Sequence, residues 1–266
     1  MISNMRMTTN SPRLLEYDIA PGARAFSTMR HGGVGKGEYS GFNINRFCGD
    51  SAENVAANRL LLARCLGIDT ENIILPHQTH GTDFRIVDRA FLALSGTARC
   101  MKLEGIDGLL TSVKGVCIGV STADCIPVII YDTVRHAACV AHAGWRGTVK
   151  RIAQKAVAEM QSVFRSDPSN MKAVVGPGIS LDSFEVGDEV YEQFRDAGFD
   201  MQAMSAFHDK WHIDLHECNR RQLAAAGVPD CNIDVVGIDT FTSSDFFSAR
   251  RQGISSGRIY TAIILE

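Results

Sequence analysis

Val116-Cys-Ile-Gly-Val-Ser-Thr-Ala-Asp-Cys-Ile-Pro-Val-Ile-Ile-Tyr131 is the stretch that decides the fold, because it holds two apolar runs around a short polar turn. Residues 116–120 and 126–131 are apolar without alternation, as in strands buried on both faces, and a third run follows at 137–142. The turn at 121–125 contains a carboxylate and a thiol. We therefore predict three central strands with polar, reactive side chains at their ends.

The remaining pattern mixes strands and helices. Asp50 or Ser51 can cap a helix that begins near residue 54 and stops at Gly67, and Asp214 can cap another that stops at Gly227. Further helices are predicted at 148–164 and 186–198, and further strands at 73–76, 107–111, 173–179, 211–215, 231–238 and 258–265. This order is not a strict βαβ alternation, so it favours an α+β fold with mixed sheets and outer helices.

Composition narrows the class of protein. No repeat, linker or low-complexity tract divides the 266 residues, so we predict a single domain over 1–266 with residues 1–12 as a loose tail. A net charge of −3 argues against a nucleic-acid partner, and no apolar run approaches the ~20 residues that span a bilayer. Eight cysteines without a C-x-x-C pair or an export signal predict reduced thiols and a cytoplasmic location.

Three loops that follow apolar runs offer metal ligands. They contain His80, Cys125 and His142, which would provide three protein ligands and leave a fourth position open, as in catalytic zinc sites. The other interpretation is an exposed loop histidine, a packed thiol and a core histidine. Separations of 45 and 17 residues match no local metal motif, so spacing alone does not decide between the two. His212 and His216 lie before and inside a predicted helix, on different faces, and are poor candidates for a metal pair.

Candidate anion-binding groups are scattered along the chain. The segment 26–45 is rich in glycine, but no G-K-[ST] follows, so turn geometry is favoured over a phosphate loop. Arg30, Arg59 and Arg146 could each hold a phosphate or carboxylate through a bidentate fork. For each arginine the alternative is a solvated surface side chain.

Taken together, the motifs resemble one family over residues ~25–265. The matching segments are Phe26-Ser27 to Val34, Asn43, Gly49-Asp50, Asn58-Arg59, His77-Gln78-Thr79-His80-Gly81, Asp107-Gly108 to Thr111, Thr122-Ala123-Asp124-Cys125-Ile126-Pro127-Val128, Ala141-His142-Ala143-Gly144-Trp145-Arg146-Gly147, Phe246-Phe247-Ser248-Ala249-Arg250-Arg251 and Gly257-Arg258. The resemblance is to the YfiH-like family, also called multicopper polyphenol oxidase or laccase domain proteins.

The resemblance implies a single-domain α/β/β/α layered fold and a metal, usually zinc, on His80, Cys125 and His142. It also implies phosphorolysis of purine nucleosides (adenosine, inosine, guanosine or methylthioadenosine plus phosphate gives base plus ribose 1-phosphate), with adenosine deamination as a further activity. Small-molecule nucleosides and phosphate are then the expected partners.

Roles within that activity are predicted for individual residues. Cys125, His80 and Asp124 are the catalytic candidates, with Asp124 either orienting His80 or a bound water, or only capping its turn. The phosphate and substrate candidates are Arg59, Asn43 and Arg146. The nucleoside pocket is predicted to be lined by residues 31–41 and by the turn at 121–125. One departure from the family is Asp239-Thr240, where many members have a cysteine-threonine pair.

Three other functions compete with this one. A copper-dependent polyphenol oxidase would use the same two histidines and cysteine, but a multicopper oxidase needs many more histidines in H-x-H pairs, and this chain has eight histidines and no H-x-H. A hydrolase that edits peptidoglycan precursors would use Cys125 as nucleophile with His80 or His142 as base. A non-enzymatic zinc-binding module would close the metal with a fourth protein ligand.

Overall fold

A computed structural model describes residues 10–266 of the chain. Most of the predicted tail, residues 1–9, lies outside the described residues. Within the described part the strands are β1 (Leu14–Tyr17), β2 (Ala23–Thr28), β3 (Ile73–Ile74), β4 (Phe84–Ile86), β5 (Gly108–Thr111), β6 (Cys117–Thr122), β7 (Ile126–Asp132), β8 (Ala137–Ala143), β9 (Met171–Val175), β10 (Glu185–Val186), β11 (Ser205–Phe207), β12 (Trp211–Ile213), β13 (Ile233–Val235) and β14 (Ile259–Leu265). The helices are α1 (Ala52–Leu66), α2 (Arg89–Leu92), α3 (Gly96–Lys102), α4 (Trp145–Val149), α5 (Ile152–Phe164), α6 (Asp188–Asp196), α7 (Met201–Met204), α8 (Leu215–Ala225) and α9 (Ala249–Gln252).

The strands form two large mixed sheets and one small sheet. A five-stranded sheet has the order β1-β2-β14-β6-β3, a six-stranded sheet has the order β13-β9-β7-β8-β5-β4, and β10-β12-β11 form the third. Most neighbours are antiparallel, while β3–β6, β4–β5 and β9–β13 are parallel pairs. The α+β class is therefore confirmed.

Both large sheets are covered on both faces, which explains the continuous apolar runs. On one face of the six-stranded sheet, Val128 and Cys139 pack in a cluster with Val157 of α5 and Leu223 of α8. A second cluster joins the opposite face to the five-stranded sheet, and its members include Ile129, Val140, Ile118, Val120 and Ile263. A third cluster packs the far face of the five-stranded sheet, through residues such as Phe26 and Tyr260, against Leu62 of α1. A strand buried on both faces needs no polar alternation.

The three central strands β6, β7 and β8 appear where the apolar runs predict them. Ser51 rather than Asp50 caps α1, since its side chain accepts from the backbone N–H of Asn54. The helix predicted at 148–164 begins earlier and is divided into α4 and α5, because Arg151 adopts a left-handed backbone conformation with φ of 64°. The sequence pattern does not predict β1, β2 and β4, because these strands are short or contain few apolar residues in a row.

Candidate active site and metal centre

Strand register brings the three predicted ligand loops to one end of the six-stranded sheet. The chain passes from β6 in the five-stranded sheet to β7 in the six-stranded sheet, and Cys125 lies in the connection between them. Because Ile126 pairs with Ala143, Cys125 lies beside the end of β8. On the other side of β8, the N–H of His142 donates to the carbonyl oxygen of Asp107 over 2.8 Å. The N–H of Asp107 in turn donates to Asp83, which closes the loop that carries His80.

His80, Cys125 and His142 form a compact group. One ligand atom from each lies within 4.8 Å of the other two, and the two imidazole rings are 4.8 Å apart at an angle of 68°. His142 is buried, Cys125 is half-buried and His80 is exposed. The group therefore has a closed side in the protein and an open side. The open side faces a cavity of about 260 Å³ that all three residues line.

Asp107 supports this group from behind. It is fully buried, and one carboxylate oxygen is 2.7 Å from Nδ1 of His142. The same carboxylate accepts three backbone N–H bonds, from Thr79, His80 and Gly81. Because Nδ1 of His142 is held in this way, Nε2 is the nitrogen left to face the other ligands. The sequence predicts only a turn at Asp107, although its position before a strand and inside a family motif is a signal for a role at the site.

Electrostatics favour the metal-binding form of the thiol. Burial by itself would raise the pKa of Cys125, but the charge of His142 and hydrogen bonds from His142 and His80 lower that pKa to about 6. Burial would lower the pKa of His142, but Cys125 and Asp107 raise it to about 9. The hydrogen bond and charge of His142, with the backbone donors, also lower the pKa of Asp107 against the effect of burial. A thiolate, an imidazole held in one tautomer and a second imidazole are the donor set that zinc prefers.

The backbone conformation at the site allows the ligand side chains to lie close together. His80 has a φ of 61° and Asp124 a φ of 87°, so two turns of the site are in the left-handed region that non-glycine residues rarely adopt. A Cβ at Gly144 would lie 2.9 Å from Cδ2 of His80 and 3.1 Å from the sulfur of Cys125. Only glycine at this position leaves both ligands undisturbed.

The residues present fit a tetrahedral metal with three protein ligands. Zinc–nitrogen and zinc–sulfur bond lengths place ligand atoms about 3.5 Å apart, so this group needs only a small contraction. Among residues 10–266, no fourth histidine, cysteine, aspartate or glutamate joins the group. The fourth coordination position of the metal would therefore face the cavity.

Comparison with known proteins identifies the family. Residues 24–266 match the family model described as multi-copper polyphenol oxidoreductase laccase. The chain is 43% identical to a purine nucleoside phosphorylase of Bacteroides thetaiotaomicron over 265 residues, which cover 97% of this chain and 98% of that protein. The chain belongs to the YfiH-like family.

Other members of the YfiH-like family are also similar to this chain over most of its length. Adenosine deaminase RL5, from an unknown prokaryotic organism, is 44% identical over 246 residues, covering 91% of this chain and 94% of that protein. The crystal structure of YlmD from Geobacillus stearothermophilus superposes with a TM-score of 0.87 at 31% identity, covering 94% of each chain.

Only some of the site residues predicted from the YfiH-like motifs lie at the cavity. Asp124 lies in the metal-site turn, directly before Cys125, but its two carboxylate oxygens accept from Oγ1 of Thr240 and from the N–H of Arg250. These bonds give Asp124 a structural role, but they tie its turn to Thr240 and to the start of α9 rather than capping the turn itself. Next to it, Asp239 accepts from Ser180, Ser183 and other loop donors, so the residue that replaces the frequent family cysteine organises a loop.

The three predicted phosphate contacts are not brought to the cavity. Arg59 lines a separate cavity of about 590 Å³, and its guanidinium donates to the carbonyl oxygens of Thr70 and Ile73. Asn43 is fully buried and bonds to Asp50 and to neighbouring backbone. Arg146 is exposed and lies 4.2 Å over the ring of Trp145.

The predicted pocket lining is found in part. Ser121, Thr122, Ala123 and Cys125 of the turn line the cavity. The glycine-rich segment 31–41 does not, and residues that follow it do, namely Asn45, Phe47 and Cys48. Turn geometry accounts for the glycines, since a Cβ at Gly41 (φ 111°) would clash with the carbonyl oxygen of Arg30.

All eight cysteines are free thiols. Within residues 10–266, no helix has the length and apolar character needed to cross a membrane.

Proposed function

We propose that this chain is a purine nucleoside phosphorylase that holds zinc on His80, Cys125 and His142, and that the same site deaminates adenosine. The observation that carries the proposal is the three-ligand group with its open side toward a cavity of small-molecule size. The names of the relatives, purine nucleoside phosphorylase and adenosine deaminase, supply the substrate class. Adenosine, inosine, guanosine and methylthioadenosine are the proposed nucleosides.

Phosphorolysis sets clear demands on such a cavity. The C1′–N9 bond breaks with its electron pair going to the base, and a phosphate oxygen forms the new bond to C1′. Positive charge develops on the sugar and negative charge on the base, so the cavity must bind an anion and stabilise the leaving base. Zinc held by the three ligands supplies positive charge and Lewis acidity to the cavity.

The residues around the cavity can meet several of these demands. Phe47 and Ile254 provide apolar surface for a purine, and both are exposed. Asn45 and Gln78 hold the rim in place, because both bond to Ser121. Arg258 lines the cavity, and its guanidinium also donates to the carbonyl oxygens of Ser256 and Ile254. Its positive charge favours phosphate at this end of the cavity.

The geometry gives less support to the oxidase and hydrolase functions. Residues 10–266 hold one group of three or more candidate ligands, whereas a multicopper oxidase needs several. A cysteine hydrolase would need Cys125 free to attack a substrate. Bound zinc would occupy the sulfur.

Product analysis by liquid chromatography tests the proposal. Adenosine with phosphate should give adenine and ribose 1-phosphate, and adenosine alone should give inosine. Each substrate is supplied to zinc-loaded and copper-loaded protein, and each form also receives a phenolic dye. Turnover only by the copper form, and only of the phenol, would establish the oxidase and reject the proposal.

Metal content tests the ligands separately. Purified protein should contain about one zinc per chain, and Cys125→Ala should lower the content sharply. Cys117→Ala is the matched control, because Cys117 is a buried thiol in the cluster between the five-stranded sheet and α1. Full zinc retention in the Cys125 variant would contradict the ligand assignment.

A further inference from the structure

A third histidine faces the same cavity and takes no part in the ligand group. His77 lines the cavity with His80 and His142, and its side chain is 39% exposed. It lies three residues before His80, at the opposite end of the same loop. The function proposed above gives this side chain no role.

The ring of His77 is held in a defined position. Its Nδ1 lies 2.7 Å from a carboxylate oxygen of Glu104, and the ring stacks on Phe47 with centroids 4.2 Å apart at 21°. Its backbone is paired on both sides, since its N–H donates to Leu103 and its carbonyl accepts from Gly105. These contacts fix the orientation of the ring beside the cavity.

These contacts leave one nitrogen available. Glu104 occupies Nδ1, and within residues 10–266 Nε2 of His77 has no hydrogen-bond partner. Asp107 holds Nδ1 of His142 in the same way, but Nε2 of that ring faces Cys125. Glu104 and Asp107 are three residues apart, and each holds Nδ1 of one histidine. Nε2 of His142 faces the ligand group, whereas Nε2 of His77 is available to a substrate.

We infer that His77 is the general acid that protonates N7 of the leaving purine, and that Glu104 positions the ring. The inference rests on the proposed phosphorylase function. A purine leaves far more readily when N7 is protonated, because the electron pair of the C1′–N9 bond then neutralises a cationic base instead of producing an anion. An imidazole paired with a carboxylate is suited to this transfer.

The step balances without a further reactant. The proton on Nε2 of His77 passes to N7 as the C1′–N9 bond breaks, and a phosphate oxygen bonds to C1′. The proton of hydrogen phosphate then returns to Nε2, which restores His77. The products are the neutral base and ribose 1-phosphate.

A nucleoside that needs no protonation provides the test. In 7-methylinosine the base already carries positive charge, so a general acid at N7 is not required. His77→Gln should lower kcat/KM for inosine about 100-fold or more, and for 7-methylinosine less than about fivefold. Glu104→Gln, at an exposed position, should show the same selectivity with a loss of about tenfold on inosine.

His31→Gln is the matched control. His31 also pairs with a carboxylate, Asp245, over 2.6 Å at 39% exposure, but it does not line the cavity. It should leave both rates unchanged, and all variants should keep their zinc. Equal loss on inosine and 7-methylinosine, or no loss on either, would overturn the role of His77. If the wild type phosphorolyses neither nucleoside, the proposed function fails and the inference fails with it.

Discussion

Asp107 shows how much one buried side chain can organise. Its carboxylate fixes the tautomer of His142 and also holds the backbone of Thr79, His80 and Gly81. Two of the three ligands therefore depend on the same carboxylate. The third, Cys125, depends on it indirectly, because Asp107 helps to raise the pKa of His142 and the charge of His142 lowers the pKa of Cys125.

Asp107→Asn should lower zinc affinity by about 10- to 100-fold. The amide keeps the size of the side chain but loses the charge, and its NH2 group cannot accept from the backbone donors. Competition with a chromogenic chelator measures the change. Asp245→Asn is the control, since Asp245 also pairs with a histidine but lies outside the cavity. Equal affinities for the Asp107 variant and the wild type would show that the ligands are held by other contacts.

Arg59 presents the opposite case, a motif residue with contacts that favour a structural role. Its two bonds to the carbonyl oxygens of Thr70 and Ile73 tie α1 to the start of β3. Arg59→Ala should lower the free energy of unfolding by about 2 kcal/mol, as expected for charge-assisted bonds, and leave the Michaelis constant for phosphate unchanged. Urea unfolding and phosphate titration measure the two quantities. A rise of one to two orders of magnitude in the phosphate constant would instead support the motif-based assignment.

At the scale of elements, the site depends on the junction between β8 and α4. The strand ends with His142 and Ala143, and Gly144 caps the helix that follows. The side chains of His80 and Cys125 lie so close to Gly144 that a Cβ there would contact both. The helix begins at once, so the junction has little freedom to move aside. A side chain at this position must displace a ligand rather than the backbone.

Gly144→Ala should therefore lower zinc affinity about tenfold and change the free energy of unfolding by less than about 1 kcal/mol, because ligand geometry tolerates only small displacements. Isothermal titration with zinc and urea unfolding measure the two effects. Gly96→Ala serves as the control, since a Cβ at this first residue of α3 meets no atom within 4 Å. Unchanged affinity in the Gly144 variant would mean that the ligands adjust freely.

At the scale of the whole molecule, ion pairs join the outer helices to distant loops. Glu217 in α8 accepts from Arg220 and Arg221, and these arginines also bind Asp230 and Asp200. The hydrogen bond from Arg220, with a smaller one from Arg221 and against partial burial, lowers the pKa of Glu217 from 4.5 to about 2. The depressed pKa means that the network stabilises the fold above pH 4.5 and that this contribution is lost as the pH falls toward 2.

Glu217→Gln should lower the free energy of unfolding by about 1 kcal/mol at pH 7, a value limited by solvent screening of a partly exposed network. The difference from wild type should shrink between pH 4.5 and 2, where the wild-type carboxylate becomes protonated. Urea unfolding at several pH values measures it. A difference independent of pH would show that packing, not charge, accounts for the loss. Glu192→Gln is a suitable control, because Glu192 is exposed and lies 4.0 Å from Arg195.

The amino-acid sequence by itself determined the fold class, the three central strands and the three residues of the ligand group. The fold class and the strands follow from local pattern, because an apolar run buried on both faces is visible within ten residues. The ligand group follows from the family motifs, because the spacing of the two histidines and the cysteine alone left it open. Only the tertiary structure decided which carboxylate supports the ligands, that Asp124 and Arg59 bond to backbone and loop groups, and that His77 faces the cavity. Those roles depend on strand register and on contacts between residues 11 to 126 positions apart. Register is set by the packing of both sheets at once, so no local stretch of sequence contains it.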